Sequence, residues 1–354
     1  MNENVERKST SRITVLIPAY NASKYIDIAI RSILDQTYSD FLLLVINDGS
    51  TDDTEKKILS FDDKRIRYVK NETNIGLVNT LNKGIDLTET EYLVRMDADD
   101  ISVPQRLEWQ LLYMDTHPAI GISGGKYEIV GDESGIPKIP LENDYIKANL
   151  LFSNSLCHPT VILRTQILKE NDFRFGAFEF NDQYGFKVTE IEDYVMWQRV
   201  RDSVQFANLD KILLKYRKEG QNFSTANIDA ILARKKMFYI HMLEELKIKP
   251  SPLNLLMHIN SENVGNSDSA NDIDLFDNYL TEILNKNKVE NIYPQNTLQE
   301  IVRAKWEQLF FYLPDLGFSY VLRYWRCSRK IKGKEMAYFL KCKINNFLKE
   351  KTTK

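Results

Sequence analysis

The chain has 354 residues, of which 43% are hydrophobic and 27% charged, and its formal net charge at pH 7 is −3. This composition is typical of a globular protein with one large domain or two, and no apolar run approaches the roughly 18 residues of a membrane-spanning helix. The first twelve residues are polar, so we expect no secretion signal. Three widely spaced cysteines argue against a disulfide framework and a zinc site and fit a reducing cytoplasm.

The first hundred residues alternate between apolar strands and amphipathic helices. Continuous apolar runs predict strands that are buried on both faces. The predicted strands are Ile13–Ile17, Phe41–Ile46, Ile66–Val69 and the run Tyr92–Val94 that leads into Asp97. The helix predicted after the first strand carries Ile26, Ile30 and Ile33 at helical spacing. Such alternation predicts an α/β fold with a parallel sheet and helices on both faces.

Polar residues follow three of the predicted strands at their carboxyl ends. Tyr20 and Asn21 follow the first strand, Asp48 follows the second, and Asp97 and Asp99 follow the fourth. Because ligands bind beyond the carboxyl ends of strands in open α/β sheets, we expect these side chains to line one site. The two common Gly-rich phosphate-binding loops are absent from the sequence, so this site would hold a diphosphate through a metal ion.

The run Arg95–Asp100 carries three carboxylates within four positions. If the strand continued through this run, Asp97 and Asp99 would lie on one side of the backbone and Asp100 on the other. Neighbouring carboxylates repel each other unless a cation lies between them, and Mg²⁺ binds through one or two carboxylates together with substrate phosphate oxygens. The alternative is a solvated acidic turn in which Asp100 or Ser102 caps the next helix.

Several blocks of the first half resemble, in order and spacing, the family 2 glycosyltransferases of the GT-A fold. The blocks are Pro18–Asn21, Asn47–Asp52, Asn74–Leu77, Arg95–Asp100 and Pro104–Leu107. The resemblance covers roughly residues 12–220 and implies a Rossmann-like mixed sheet flanked by helices. It also implies a metal-dependent transferase that uses a nucleoside-diphosphate sugar, with Mn²⁺ or Mg²⁺ as the cofactor.

Carried over by position, the resemblance implies donor roles for the residues at the strand ends. Asp97 would contact the ribose, and Asp99 would hold the metal on the diphosphate. Arg95 would neutralise the acidic run or bind phosphate. The other donor nucleotide-binding residues that the resemblance implies are Pro18, Ala19, Tyr20, Asn21, Asp48, Asn74 and Gly76.

Three of these assignments have structural alternatives. Asp48 can form an Asx turn before Gly49. Tyr20 can be a buried core aromatic with a satisfied hydroxyl instead of a platform for a base. Arg95 can make a surface ion pair, which is worth little energetically.

Two further segments are expected on the sugar and acceptor side. Residues Pro118–Gly125 predict a strand that leads into a loop, where Gly124 and Gly125 would allow the donor sugar to approach closely. The alternative is a plain turn that needs glycine for a positive φ. His158 begins a predicted strand, His158–Arg164, similar to one in the family, and would shape the acceptor side; the alternative is a hydrogen-bonded structural histidine.

Glu192 and Asp193 form a second acidic group at the predicted start of a helix. Carboxylates are stabilised at helix N-termini, so simple capping is the alternative. The resemblance makes Asp193 the general base, with Glu192 orienting it or binding the acceptor. Inversion needs one base to take the proton of the acceptor hydroxyl, and a metal stabilises the departing diphosphate, so the two acidic groups together supply what the reaction needs.

The run Lys211–Arg217 predicts the closing strand of the sheet. The resembling enzymes often follow its Tyr-Arg pair with a loop that bears a histidine, whereas Lys218–Asn222 contains none. If that histidine helps to hold the metal elsewhere, the ligand set of this chain is different, and Gln221 is a weak candidate to replace it.

The pattern changes beyond the closing strand and becomes helical. Residues 249–272 are rich in Pro, Asn and Ser and predict a connector, and further helices are predicted near 273–286, 297–312 and 335–349. The predicted domains are a disordered N-terminal segment 1–11, a GT-A catalytic domain 12–225 and a helical C-terminal region 226–354 with a basic amphipathic end.

The basic end, residues 321–354, carries eleven Lys or Arg and two Glu, a local charge of +9, so the preceding 320 residues carry −12. Tyr324, Trp325 and Phe339 lie among these cations. This mixture is typical of an interfacial helix on an anionic membrane leaflet. The alternative is a helix packed on the catalytic domain with a solvated basic face. Nucleic acid is not an expected partner, because the body of the chain is acidic.

Together these features predict an inverting glycosyltransferase that moves a sugar from a nucleoside-diphosphate sugar, a UDP-sugar in our interpretation, to a saccharide acceptor. The resemblance adds a context of bacterial surface polysaccharide, a lipid-linked acceptor and a cytoplasmic place at the inner face of the cell membrane. A nucleotidyltransferase is one alternative, but it would carry a Gly-rich loop with Arg and Lys after the first strand. A non-catalytic sugar-nucleotide-binding protein is the other, and two intact acidic groups speak against it.

Overall fold

A computed structural model describes residues 11–176, 190–219, 228–262, 264, 272–328 and 332–352. The predicted disordered segment 1–11 lies outside these residues except for Ser11, and Gln221 lies outside them as well. The chain divides into two compact units. The first unit comprises Met1–Leu150 and Asn154–Arg234, and the second comprises Leu151–Ser153 and Lys235–Lys354.

The first unit is built on one sheet, to which the described residues contribute eight strands. The strands are β1 (Ile13–Ala19), β2 (Phe41–Asn47), β3 (Ile66–Lys70), β4 (Tyr92–Arg95), β5 (Ile101–Ser102), β6 (Ile120–Gly131), β7 (Ile162–Arg164) and β8 (Gln205–Lys218). Their order across the sheet is β3-β2-β1-β4-β7-β6-β8-β5. The first four strands are parallel, as their alternation with helices predicts, whereas β7 is antiparallel to both of its neighbours. The sheet is therefore mixed, which confirms the predicted fold class.

Helices connect the strands and cover both faces of the sheet. They are α1 (Ile26–Leu34), α2 (Thr54–Leu59), α3 (Leu77–Leu87), α4 (Arg106–Thr116), α5 (Asn143–Asn149), α6 (Thr165–Glu170) and α7 (Glu192–Val200). Val15 and Ile17 of β1 are buried in one core with residues of α1 and α4. Leu16 points the other way, toward α3, where Gly84 lets the helix approach because an added Cβ would collide with the Leu16 side chain. Because β1 is buried on both faces, its sequence is continuously apolar and does not alternate with polar residues.

The second unit is helical in the part of the chain that the structure describes. Its helices are α8 (Ile228–Glu245, which begins in the first unit), α9 (Pro252–Glu262), α10 (Ile273–Glu290), α11 (Gln295–Leu309), α12 (Leu313–Leu316), α13 (Phe318–Ser328) and α14 (Gly333–Thr352). The connector predicted over residues 249–272 is wrong over Pro252–Glu262, which form α9 with Leu255 and Met257 buried. Most of its remainder, residues 263 and 265–271, lies outside the described residues. Pro252 is compatible with a helix because it stands at the first helical position, where no backbone N–H is needed.

Aromatic stacking organises the last helices of the second unit. Trp306 of α11 stacks on Tyr324 of α13 with ring centroids 4.8 Å apart, and Phe318 of α13 stacks on Phe339 of α14 at 5.5 Å. Such pairs add to the energy of apolar burial. Among the described helices, none combines the length and apolarity that crossing a membrane requires.

Candidate active site

Two cavities lie at the carboxyl ends of β1, β2 and β4, and both are lined by Asp97 and Asp99. The larger has a volume of about 650 Å³ and the smaller about 420 Å³. The larger cavity is also lined by the predicted donor residues Pro18, Ala19, Tyr20, Asn21, Asp48, Asn74 and Gly76. The smaller cavity is also lined by the predicted site residues Arg95, His158, Glu192 and Asp193. The acidic run is thus the point at which the two cavities meet.

Asp48 is a buried carboxylate that organises the floor of the larger cavity. It accepts hydrogen bonds from Asn71 Nδ2 at 2.8 Å and from the backbone N–H groups of Ile75 and Gly76 at 2.9 Å each. The alternative of an Asx turn at Asp48 is wrong, because Asn47 accepts the hydrogen bond from the Ser50 backbone instead. Asp48 therefore fixes the loop that opens α3, and its remaining acceptor capacity faces the cavity.

The turn after β1 is held against the loop after β2 by side-chain hydrogen bonds. The Asn21 backbone N–H donates to Ser50 Oγ at 3.0 Å, and Asn21 Oδ1 accepts from the Thr51 backbone at 2.9 Å. Asp52 Oδ1 accepts the hydrogen bond of the Thr54 backbone N–H at the start of α2.

Tyr20 stands beside this turn with 49% of its surface exposed. The alternative of a buried core aromatic is therefore wrong. Its ring lines the larger cavity and is available to a flat ligand.

Arg95 is the last residue of β4, and its side chain is only 4% exposed. Nη1 donates to Asp97 Oδ2 at 2.7 Å, and Nη2 lies 2.5 Å from Asp97 Oδ1. This bidentate pair is buried on the arginine side, so the alternative of a surface ion pair is wrong. Arg95 neutralises part of the acidic run and fixes the orientation of Asp97.

Asp97, Asp99 and Asp100 each place one carboxylate oxygen within 4.8 Å of the other two. The strand ends at Arg95, so the predicted separation of Asp100 from the other two does not occur. Burial and then the negative charge of Asp97 raise the pKa of Asp99 and, more strongly, that of Asp100. Close carboxylates with raised pKa values are stabilised as anions when a cation joins them.

Asp100 is buried and does not cap a helix, since α4 begins only at Arg106. Its Oδ1 accepts a hydrogen bond from the Arg217 backbone at 2.9 Å, and its Oδ2 has no hydrogen-bond partner among the described residues. An unpartnered buried carboxylate oxygen is costly unless a ligand completes it. The donor set of this cluster, three carboxylates, fits a hard divalent cation such as Mg²⁺ or Mn²⁺.

Two further arginines support the backbone of the acidic run. Arg106 is fully buried and donates from Nη2 to the Arg95 carbonyl oxygen at 2.8 Å, and burial lowers its pKa to about 9. Arg217 of β8 donates from Nε to the Asp99 carbonyl oxygen at 2.9 Å. Neither role is predicted from the sequence, although Arg106 lies in the block Pro104–Leu107 and Arg217 ends the predicted strand Lys211–Arg217.

The second acidic group opens α7, as predicted. Asp193 Oδ2 accepts a hydrogen bond from Asn154 Nδ2 at 2.7 Å, and Oδ1 accepts one from the Tyr194 backbone at 2.7 Å. Burial, followed by the charge of Glu192, raises the pKa of Asp193. A carboxylate with a raised pKa is a better proton acceptor near neutral pH.

Glu192 Oε1 lies 3.4 Å from His158 Nδ1. Burial raises the pKa of Glu192 to about 7 and lowers the pKa of His158 to about 3, so the imidazole is neutral and the two do not form an ion pair. His158 stands in a turn of 3₁₀ helix (His158–Thr160) and not in the strand predicted from this position. Proline at the second position of this turn breaks the strand, which begins only at Ile162.

The predicted loop at Gly124 and Gly125 is wrong, because both residues are buried within β6 and line neither cavity. A Cβ on Gly124 would lie 2.5 Å from Asn208 Oδ1, and one on Gly125 would lie 2.5 Å from Leu213 Cδ1. These glycines allow β6 to pack against the side chains of β8, so close packing within the sheet accounts for them.

Several residues that complete the two cavities are not predicted from the sequence. Lys24, Tyr25 and Glu219 line the larger one, and Asn154 and Tyr216 line the smaller one. Lys24 and Tyr25 follow the turn after β1 by only a few residues, and that proximity was the available signal. Asn154 lies in a segment without a recognisable pattern.

The sequence profile of the family described as Glycosyl transferase family 2 matches residues 14–170. An uncharacterized glycosyltransferase of Haemophilus influenzae is 35% identical over 60% of this chain and 67% of its own length. The O-antigen biosynthesis glycosyltransferase WbnJ of Escherichia coli is 32% identical over 58% of this chain and 79% of its own length. Another Escherichia coli relative, named UDP-Glc:alpha-D-GlcNAc-diphosphoundecaprenol beta-1,3-glucosyltransferase WfgD, is 28% identical over 60% of this chain and 79% of its own length.

Solved structures of similar fold include residues 1–349 of Staphylococcus aureus TarS in complex with UDP-GlcNAc. The match covers 86% of this chain and 90% of that chain at 18% identity, with a TM-score of 0.53. The mannosyltransferase PcManGT of Pyrobaculum calidifontis, in complex with GDP-Man and Mn²⁺, matches over 84% of this chain and 86% of that chain at 13% identity, with a TM-score of 0.50.

Proposed function

The chain belongs to glycosyltransferase family 2 and is a glycosyltransferase, and from this premise we propose that it transfers a sugar from a UDP-sugar to a hydroxyl group of a saccharide acceptor with inversion at the anomeric carbon. The observation that carries the proposal is the meeting of two cavities at Asp97 and Asp99, with Asp193 on the wall of the smaller one. Because the chain belongs to a glycosyltransferase family, we discard the two alternative functions considered from the sequence, a nucleotidyltransferase and a non-catalytic sugar-nucleotide-binding protein.

The larger cavity takes the nucleotide of the donor. Tyr20 offers an exposed ring on which a base can stack, and Asp48 and Asp97 offer carboxylate oxygens to base N–H or ribose hydroxyl groups. Uridine is our choice of base because the TarS structure contains UDP-GlcNAc and WfgD is named for UDP-Glc.

Asp99, with the unpartnered oxygen of Asp100 close by, would hold Mn²⁺ or Mg²⁺. The bound cation supplies positive charge that stabilises the departing diphosphate. Arg95 keeps Asp97 in place, and Arg217 holds the Asp99 backbone, so the ligand oxygens are positioned before substrate arrives.

Asp193 acts as the general base. It takes the proton of the acceptor hydroxyl while that oxygen attacks the anomeric carbon from the face opposite the diphosphate, and this single displacement inverts the configuration. Asn154 fixes the orientation of the carboxylate through its 2.7 Å hydrogen bond. Glu192, next to the neutral His158, raises the pKa of Asp193 or contacts the acceptor.

The acceptor in this proposal is lipid-linked, and the reaction belongs to surface polysaccharide synthesis at the inner face of the cell membrane. WfgD is named for a diphosphoundecaprenol acceptor, and WbnJ for O-antigen biosynthesis. In the second unit, α13 and α14 expose Phe318, Leu322 and Leu340 amid the cations of residues 321–354. Apolar side chains among Lys and Arg suit contact with an anionic leaflet.

The test is a screen of UDP-, dTDP- and GDP-sugars with the full chain in the presence of Mn²⁺ or Mg²⁺, with release of nucleoside diphosphate as the readout. We expect release from a UDP-sugar, and we expect EDTA to abolish it. If no sugar nucleotide releases its diphosphate under either metal, the proposed reaction is wrong. Binding to anionic liposomes, with residues 321–354 removed as the comparison, tests the membrane contact separately.

A further inference from the structure

The carboxylate of Glu219 accepts hydrogen bonds from three side chains beside the acidic run. Lys24 Nζ donates to Oε2 at 2.9 Å, and the Tyr25 hydroxyl donates to the same oxygen. Arg217 Nη1 donates to Oε1 at 3.2 Å. Lys24, Tyr25 and Glu219 line the larger cavity together with Asp99, so an ammonium group and a hydroxyl group meet one anion at its wall. Arg217 contacts the same anion from β8 without lining the cavity.

The three donors are arranged independently of Glu219. The guanidinium carbon of Arg217 lies 4.3 Å from the centroid of the Tyr25 ring, and its Nε donates to the Asp99 carbonyl oxygen. Lys24 Nζ lies 4.7 Å from the centroid of the same ring. Both cations thus contact the ring of Tyr25, and their N–H groups point to the carboxylate of Glu219. Arginine, lysine and hydroxyl groups are the side chains that proteins use to bind phosphate oxygens.

Glu219 is charged in this arrangement. Hydrogen bonds from Tyr25 and then from Lys24 lower its pKa to about 2, so it is an anion at neutral pH. A diphosphate that enters the cavity brings further negative charge next to this carboxylate and next to Asp99. Glu219 and a diphosphate compete for the same donors and repel each other, so binding of the diphosphate favours release of Glu219.

We propose that Lys24 and Tyr25, supported from behind by Arg217, form the diphosphate-binding wall of the donor cavity and that Glu219 occupies this wall until the nucleotide enters. The inference rests on the proposed function, because it takes the ligand to be a nucleoside diphosphate. Its consequence is an exchange of anions. Each binding event must release Glu219 from its donors, so Glu219 lowers the affinity for the diphosphate and favours its departure as product.

The test measures the affinity of the full chain for UDP and for uridine in the presence of Mn²⁺ by calorimetric titration. Lys24→Ala removes a donor whose side chain is 73% exposed, so the fold should be retained. We expect about a tenfold loss of UDP affinity, since one charge-assisted interaction is lost, and no change for uridine. Glu219→Gln removes the competing charge, and we expect UDP affinity to rise about threefold or more, again without a change for uridine.

Lys218→Ala is the matched control, because Lys218 is the neighbouring cation on β8 and pairs with Glu133 at 2.6 Å without lining the larger cavity. The inference is wrong if Lys218→Ala weakens UDP binding as much as Lys24→Ala does. It is also wrong if Lys24→Ala affects uridine and UDP equally, or if Glu219→Gln leaves UDP affinity unchanged or lowers it. A wild-type chain that binds no nucleoside diphosphate would instead contradict the proposed function itself.

Discussion

The two acidic groups beside the smaller cavity hold their charge in different ways. In the β4 cluster, which comprises Asp97, Asp99 and Asp100, three carboxylates crowd within 4.8 Å and guanidinium groups built into the fold provide the counter-charge. In the α7 pair, Glu192 and Asp193, the partners are neutral. They are an amide, a backbone N–H group and an imidazole whose pKa burial lowers to about 3.

This difference indicates a division of labour. A carboxylate that binds a metal must stay charged, and the guanidinium groups of Arg95 and Arg217 oppose the rise in the pKa of Asp99 that burial and the charge of Asp97 cause. A general base must instead change its protonation state near the working pH, and burial, followed by the charge of Glu192, raises the pKa of Asp193 in that direction. In our proposal the β4 cluster holds the metal and the α7 pair takes the proton, and the two groups differ more in the type of their partners than in the number of their carboxylates.

Substitution Asp193→Asn should have the largest effect. It replaces the proton acceptor by an amide of the same shape and size. We therefore expect kcat to fall by about 10²- to 10⁴-fold while UDP affinity stays the same. Steady-state kinetics and UDP titration measure the two quantities. Asp202→Asn, at an exposed aspartate just after α7, is the control and should retain full activity. Equal turnover in the two variants would show that Asp193 is not the general base.

Substitution Arg95→Met should destabilise the first unit strongly. Arg95 is buried and pairs with both oxygens of Asp97, so its loss leaves a carboxylate without its counter-charge at a cost of about 3 kcal/mol or more. Urea unfolding followed by fluorescence measures the change.

The matched control is Arg12→Met, since Arg12 pairs with Glu91 and Asp115 through side chains that are about 40% exposed. Exposed pairs contribute about 1 kcal/mol or less. If both variants lose the same small amount, the guanidinium groups of the β4 cluster are not the structural counter-charges described above.

Substitution Asp99→Asn should act on the metal-dependent part of donor binding. It removes one anionic ligand, so UDP affinity in Mn²⁺ should fall by about 10- to 100-fold, the range over which the loss of a single supporting group lowers metal affinity. UDP affinity in EDTA should stay the same. Titrations in Mn²⁺ and in EDTA supply the comparison, with Asp210→Asn at an exposed surface pair as the control. A loss that persists in EDTA would show that Asp99 contacts the nucleotide directly and not through a cation.

Much of this division was accessible from the sequence, because its signals are local. Strands buried on both faces produce continuous apolar runs, and polar residues directly after β1, β2 and β4 mark the edge where ligands bind. Asp97 and Asp99 follow β4 and are predicted as site residues for this reason, whereas the role of Asp193 comes from the family resemblance; all three line the cavities.

What the sequence did not predict depends on contacts between distant segments. The sequence does not decide whether Asp100 caps a helix or helps to bind a metal, because its hydrogen-bond partner, Arg217, lies 117 positions away. The local sequence predicts a loop at Gly124 and Gly125 because it contains no information about the β8 side chains that pack on them. The helix α9 is not predicted because the Pro, Asn and Ser content of the whole stretch 249–272 outweighs the apolar residues, among them Leu255 and Met257, that are concentrated within Pro252–Glu262.

The smallest expected effect tests whether Glu192 acts on Asp193 through its charge. Asp193 must be deprotonated to accept a proton, so kcat/KM falls as the pH decreases through its pKa. Burial raises this pKa most, and the negative charge of Glu192 raises it further. Glu192→Gln removes the charge but not the size of the side chain, so the pKa of Asp193 decreases and the acidic limb of the pH profile should move to lower pH.

The pH dependence of kcat/KM for Glu192→Gln, with Glu170→Gln on α6 as the control, measures this shift. A limb that stays in place would mean that Glu192 only orients its neighbour or binds the acceptor. A limb that moves to higher pH would mean that Glu192 stabilises the charged form of Asp193. In that case the α7 pair would resemble the β4 cluster, and partner type alone would not distinguish the base from the metal ligand.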